Sequence, residues 1–153
     1  MGSLSMKRSK KILYALFFFF FCLTGCATRD LTITRGEAYQ AYQDEDYSTA
    51  VDRFEVLVKE IPGDAELWFR LGNAYAKSMR PEQAIDAYQK SLLRDPQQGK
   101  AWYNLGIIHM QTALKSFIDM QDFVNENDPI GIKGKTMRNG LLTLLGQDVD
   151  GEK

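Results

Sequence analysis

The sequence predicts an all-α fold, an antiparallel helix-pair solenoid closed by a C-terminal capping helix. Three observations predict it. Residues recur at a spacing of 34: Trp68 with Trp102, Leu71 with Leu105, Gly72 with Gly106, Ala50 with Ala84, Phe54 with Tyr88, and Pro62 with Pro96. Inside each unit the apolar residues follow a helical period, with Trp68, Leu71 and Tyr75 on one stripe and Ala84, Tyr88 and Leu92 on another. Proline closes each unit at Pro62 and Pro96, because it lacks the amide and disfavours helical geometry in the residue before it.

The elements follow in chain order. Residues 1–25 read as a leader. Lys7, Arg8, Lys10 and Lys11 are basic, and Ile12 to Leu23 follows without a charge. As a helix that run rises only ~18 Å, short of a hydrocarbon core of ~30 Å, so it fits a secretory signal and not a membrane span. A leader starting at Met6 keeps every one of these features. Leu23-Thr24-Gly25-Cys26 resembles the lipobox of bacterial lipoproteins. The resemblance implies cleavage before Cys26 and lipidation, with palmitate among the acyl chains, of its sulfur, a role serine does not fill. It implies a lipid-anchored protein of the bacterial cell envelope. Ala27, in place of the aspartate that retains enterobacterial lipoproteins in the inner membrane, implies the outer membrane, facing the periplasm. Residues 26–30 then form the lipidated N-terminus and a short linker. Several acyl chains at ~0.8 kcal/mol per buried methylene anchor such a protein stably.

Cleavage would remove four of the 19 basic residues and none of the 20 acidic ones, leaving 15 against 20, a charge near −5. No basic patch points to nucleic acid. Cys22 leaves with the leader and Cys26 carries lipid, so neither of the two cysteines remains for a disulfide or a thiolate metal site.

Residues 31–130 hold the repeats. Trp68-Phe69-Arg70-Leu71-Gly72-Asn73-Ala74-Tyr75 and Trp102-Tyr103-Asn104-Leu105-Gly106 resemble the first helix of a tetratricopeptide repeat, and Ala84-Ile85-Asp86-Ala87-Tyr88 with Pro96 resembles its second helix and terminator. The resemblance implies about three such repeats. Gly72 and Ala84 are small where two antiparallel helices cross. Arg80-Pro81-Glu82 is a turn with proline in the first turn of the next helix, and Asp46-Tyr47 marks the matching turn one repeat earlier. The first repeat is atypical, with Thr34, Glu37 and Ala38 where the later ones have Trp, Leu and Gly, as expected of a terminal unit. In the third, Ile118 and Asp122 replace the expected alanine and aromatic, and Thr112 to Ser116 offers no turn residue. Either a turn forms there with poor chemistry, or Lys100 to about Val124 is one long helix. Asn125 to Pro129 ends that segment. Ile130 to Gly134 reads as a loop, and Thr136 to Leu145 as an amphipathic capping helix within residues 131–153, followed by an acidic tail.

Catalytic constellations are scarce, and the chain is read as a non-enzyme needing no cofactor or metal. His109 is the lone histidine, at the register of Tyr75, and reads as a packing residue. Asp44-Glu45-Asp46 lacks the ligand pattern of a calcium loop and reads as a solvated turn. The tetratricopeptide resemblance implies a concave groove lined by the first helix of each pair. Mapped at the 34-residue spacing, the candidates are Arg35, Tyr39 and Tyr42; Glu66, Phe69, Asn73 and Lys77; and Lys100, Tyr103, Ile107 and Met110. Tyr39, Phe69 and Tyr103 would give contact area and Asn73 a hydrogen bond to a peptide backbone, unless the aromatics pack between helices. The resemblances together imply a protein or peptide partner in a pilus, secretion or polysaccharide-export assembly, with the membrane reached through the lipid anchor. The alternative is a regulator of periplasmic peptidoglycan enzymes that uses the same groove.

Overall fold

The computed structural model describes residues 31–147; Cys26, its leader and its linker lie outside the described residues. Helix α1 occupies residues 31–43. It is followed by α2 (Tyr47–Glu60), α3 (Ala65–Lys77), α4 (Pro81–Arg94), α5 (Gly99–Asp119), a short 3-10 turn (Met120–Asp122) and α6 (Pro129–Leu144). No strand occurs among the described residues. The chain is an all-α, antiparallel helix-pair solenoid in which α1–α2 and α3–α4 are complete pairs and α5 packs on α4.

Local chemistry sets the helix ends. Asp46 caps α2 by accepting from the Thr49 amide at 3.1 Å, and Asp64 caps α3 by accepting from Glu66 and Leu67 at 3.0 and 3.2 Å. Pro81 begins α4, where a missing amide costs nothing. The two inter-helix turns share one geometry at the 34-residue spacing: Glu45 has φ 61° and Met79 φ 58°. The amides of Asp44 and Ser78 each close onto the carbonyl four residues back, and those of Glu45 and Met79 onto the carbonyl three back. The acidic cluster at 44–46 is thereby accounted for as turn and cap.

The core is the repeat pattern made solid. Ala38, Ala50, Val51, Phe54, Leu57, Leu67, Leu71, Ala74, Ala84, Ala87, Tyr88 and Ala101 are buried in one cluster. Each large apolar side chain among them contributes about 1.5–3 kcal/mol by leaving water. A Cβ on Gly72 would stand 2.6 Å from the Tyr88 ring, which is why this crossing needs glycine. Trp68 donates its indole N–H to the Pro62 carbonyl at 2.9 Å, so the tryptophan and the proline of one period form a single device. Trp102 does the same with Pro96 at 3.0 Å.

The third unit is built differently. Position 113, in register with Glu45 and Met79, is an alanine in the middle of α5, and the helix runs 21 residues without a turn. Of the two structures the sequence leaves open, the long helix forms, because Thr112 to Ser116 contains nothing that favours leaving the helix. Ile130 to Gly134 is a correction: it is helical, not a loop. Asp128 caps α6 by accepting from the Ile130 amide at 3.1 Å, and Pro129 occupies its first turn. Gly131 and Gly134 are buried contact points; a Cβ on Gly134 would lie 2.8 Å from the Met120 sulfur, and one on Gly131 would strike the Asn125 carbonyl oxygen. The glycines read as loop markers in sequence are there for close approach. The capping helix accordingly starts at Pro129 and packs on the distal part of α5 and the 3-10 turn.

Candidate functional site

The inner face of α1, α3 and α5 forms an open cavity of about 350 Å³ lined by Tyr42, Asn73, Ala76, Lys77, Tyr88, Asn104, Ile107, Ile108 and Gln111. Tyr42, Asn73, Lys77 and Ile107 are thus brought together at one cavity. The others go elsewhere. Arg35 pairs with Asp64 at 3.4 Å and ties α1 to the start of α3. Tyr39 packs edge-on against Phe54, with ring centroids 5.4 Å apart. Phe69 departs from its expected role: it is only 6% exposed and packs against Tyr88, so its ring is core and offers no open contact area. Arg70 lies over both the Tyr39 and Phe69 rings, at 5.4 and 5.8 Å, and pairs with Glu66 at 2.6 Å, which engages Glu66 in turn. Tyr103 is 69% exposed, Lys100 is exposed and Met110 is half-buried, and none of the three lines the cavity. His109 is exposed and not packed between helices. Tyr75, its counterpart, is buried in the core, donates its hydroxyl to Glu55 of α2 at 2.6 Å and has Arg80 from the following turn 4.7 Å over its ring; α5 has no such turn.

A polar network organises the cavity wall. The Tyr88 hydroxyl donates to Asn73 Oδ1 at 2.9 Å, and Asn104 Nδ2 donates to the same oxygen at 2.8 Å. Burial pushes the Tyr88 phenol up to about 12, so it remains protonated and keeps its donor role through the neutral range. Both lone pairs of Asn73 Oδ1 are then occupied, which fixes the amide plane and leaves Nδ2 as a donor at the cavity. Burial, the largest cause, likewise raises the Tyr42 phenol above its ordinary value. Among the described residues, Lys77 is the one charged residue in the lining. The site offers amide donors and acceptors, aromatic and aliphatic surface, and one cation. That set can hydrogen-bond a peptide backbone and cover apolar side chains. Among the described residues no group of three His, Cys, Asp or Glu is arranged to hold a metal ion.

Sequence reasoning missed Ala76, Tyr88, Asn104, Ile108 and Gln111. Gln111 stands 34 residues after Lys77 and was available from that register. Asn104 stands in register with Arg70, which points elsewhere, and Tyr88 belongs to a second helix, so only the crossing of α3, α4 and α5 places them at the cavity.

Residues 65–98, which span α3 and α4, match the family model of the tetratricopeptide repeat. A peroxisomal targeting signal receptor of Candida albicans is 38% identical over 81 residues, 53% of this chain and 14% of that protein. The receptor of the same name from Kluyveromyces lactis is 39% identical over 110 residues, 68% of this chain and 19% of that protein. The general transcriptional corepressor ssn6 of Schizosaccharomyces pombe is 30% identical over 67 residues, 42% of this chain and 6% of that protein. The chain spans less than a fifth of the length of these curated relatives. The chain therefore contains a tetratricopeptide repeat at residues 65–98. These relatives are eukaryotic and do not reproduce the bacterial-envelope setting implied by the lipobox.

Proposed function

We propose that the chain is a non-catalytic adaptor that binds an extended segment of a partner protein in the cavity between α1, α3 and α5. The observation that carries this reading is the Asn73 side chain, which lines the cavity with its amide oxygen held by Tyr88 and Asn104, leaving Nδ2 as the donor that remains. A preset donor beside Lys77 recognises a backbone or terminal carbonyl without losing the entropy of ordering a free side chain. Some relatives are named as receptors for a targeting signal, which supports a peptide as the ligand class. The short coverage of those relatives carries nothing about compartment, and the compartment in this proposal rests on the N-terminal residues. Cleavage before Cys26 and alkylation of its thiolate by a lipid donor would hold the adaptor at the bacterial cell envelope, on the periplasmic face of the outer membrane. Residues 26–30 are a short tether, so the partner belongs to a membrane-adjacent complex such as a pilus, secretion or polysaccharide-export assembly.

The test is a photo-crosslinking residue placed at Gln111 in the cavity and, separately, at Val56 on the exposed side of α2. Crosslinking of an envelope partner from Gln111 but not Val56, lost on Asn73→Ala, is the expected result. Equal capture from both positions overturns the groove. Cys26→Ser is expected to abolish labelling by a palmitate analogue and to leave the precursor uncut; continued labelling removes the lipid anchor from the proposal.

A further inference from the structure

The two tryptophans differ in what covers them. On α3, Lys90 and Arg94 from α4 lie 4.8 and 5.0 Å from the Trp68 ring, and Tyr88 fills the notch at Gly72. One period later the acceptor surface is repeated, and among the described residues the donor helix is not. Trp102 is fixed by the same indole hydrogen bond to a proline carbonyl, yet it is 56% exposed. Gly106 would meet nothing within 4 Å if it carried a Cβ, whereas Gly72 is filled by Tyr88. His109, next along this side of α5, is exposed. The residues in register with Lys90 and Arg94 are Val124 and Asp128, neither of them cationic. In the first repeat the position of Trp68 is Thr34, and there Val56 and Glu60 stand in place of the cations. Helix α6 meets the other end of α5, around Met120, and leaves the Trp102–Gly106 end open.

We propose that this open face of α5 receives in trans an amphipathic helix from a partner protein, which completes the third helix pair. The α3–α4 interface states the chemistry of the occupant. It carries a small residue, an aromatic four positions later to enter the Gly106 notch, and a Lys/Arg pair four apart to lie over Trp102, in the order of Ala84, Tyr88, Lys90 and Arg94. The indole face attracts those cations, and more strongly as the contact excludes water. The surface lies apart from the cavity lined by Asn73, so its occupancy does not depend on a peptide there.

The probe is a fluorescent peptide with the sequence of α4, Pro81 to Arg94, titrated against the full chain with anisotropy as the readout. Saturable binding is expected. Gly106→Leu, which fills the notch, is expected to weaken it at least about tenfold, and Trp102→Ala or a peptide with both cations changed to Gln by about threefold, in line with a cation–π contact. Circular dichroism establishes that Gly106→Leu is folded, and Trp102→Ala supplies the same comparison should that variant unfold. Absence of saturable binding overturns the proposal. So does binding that survives both variants, which marks exchange with the chain's own α4. Sedimentation of the unliganded chain provides a further check: a dimer that Gly106→Leu dissociates assigns the face to a second copy and overturns the partner helix. Asn73→Ala is expected to leave peptide binding at this face unchanged, which separates a failure here from a failure of the groove.

Discussion

At the residue scale, Gly72 and Gly106 occupy the same repeat position with opposite consequences. Gly72→Ala places a methyl 2.6 Å from the Tyr88 ring and is expected to cost about 1–3 kcal/mol of stability. Gly106→Ala meets open space in mid-helix and is expected to stabilise the chain by about 0.5–1 kcal/mol. Paired urea titrations check both signs. The sequence shows two equivalent glycines; only the presence of α4 over one and the lack of a helix over the other distinguishes them. Phe69 teaches the same lesson. Its register places it on the inner helix, but the approach of Tyr88 takes its ring out of reach of a ligand.

At the level of elements, the turns decide how many pairs form. Glu45 and Met79 hold positive φ without being glycine. A left-handed conformation costs an L-residue with a Cβ about 1 kcal/mol, so Met79→Gly is expected to raise the thermal midpoint by a few degrees, as read by circular dichroism. Ala113 stands at that position in α5 and continues the helix. Asp128→Ala removes the cap of α6 and is expected to cost about 1 kcal/mol, felt as faster amide exchange in α6 and not in α2 to α4. Helix identity and order were legible from the period and the prolines. The start of α6 was not, because Gly131 and Gly134 signal a loop in one dimension and a close helix contact in three.

For the molecule as a whole, the buried phenols set an alkaline limit. Tyr75 and Tyr88 are pushed from the ordinary value near 10 up to about 12, in both cases chiefly by burial. Between pH 10 and 12 the unfolded chain therefore loses phenolic protons that the folded chain keeps. Stability is full below pH 10 and falls as the pH rises toward 12. Urea midpoints across that window are expected to decline, and Tyr88→Phe to decline less steeply.

By itself the sequence determined the helical class, the 34-residue repeat with its tryptophans and prolines, and the inner row that holds Tyr42, Asn73, Lys77 and Ile107. Those features follow from local periodicity and backbone chemistry, which a linear pattern records. The tertiary structure alone decided which side chains reach the cavity, and that Tyr88 and Asn104 fix Asn73. It also decided that α5 keeps one face open. The reason is physical: burial and hydrogen-bond partners depend on which helix crosses which, and a residue's exposure is set by neighbours that its own segment does not contain.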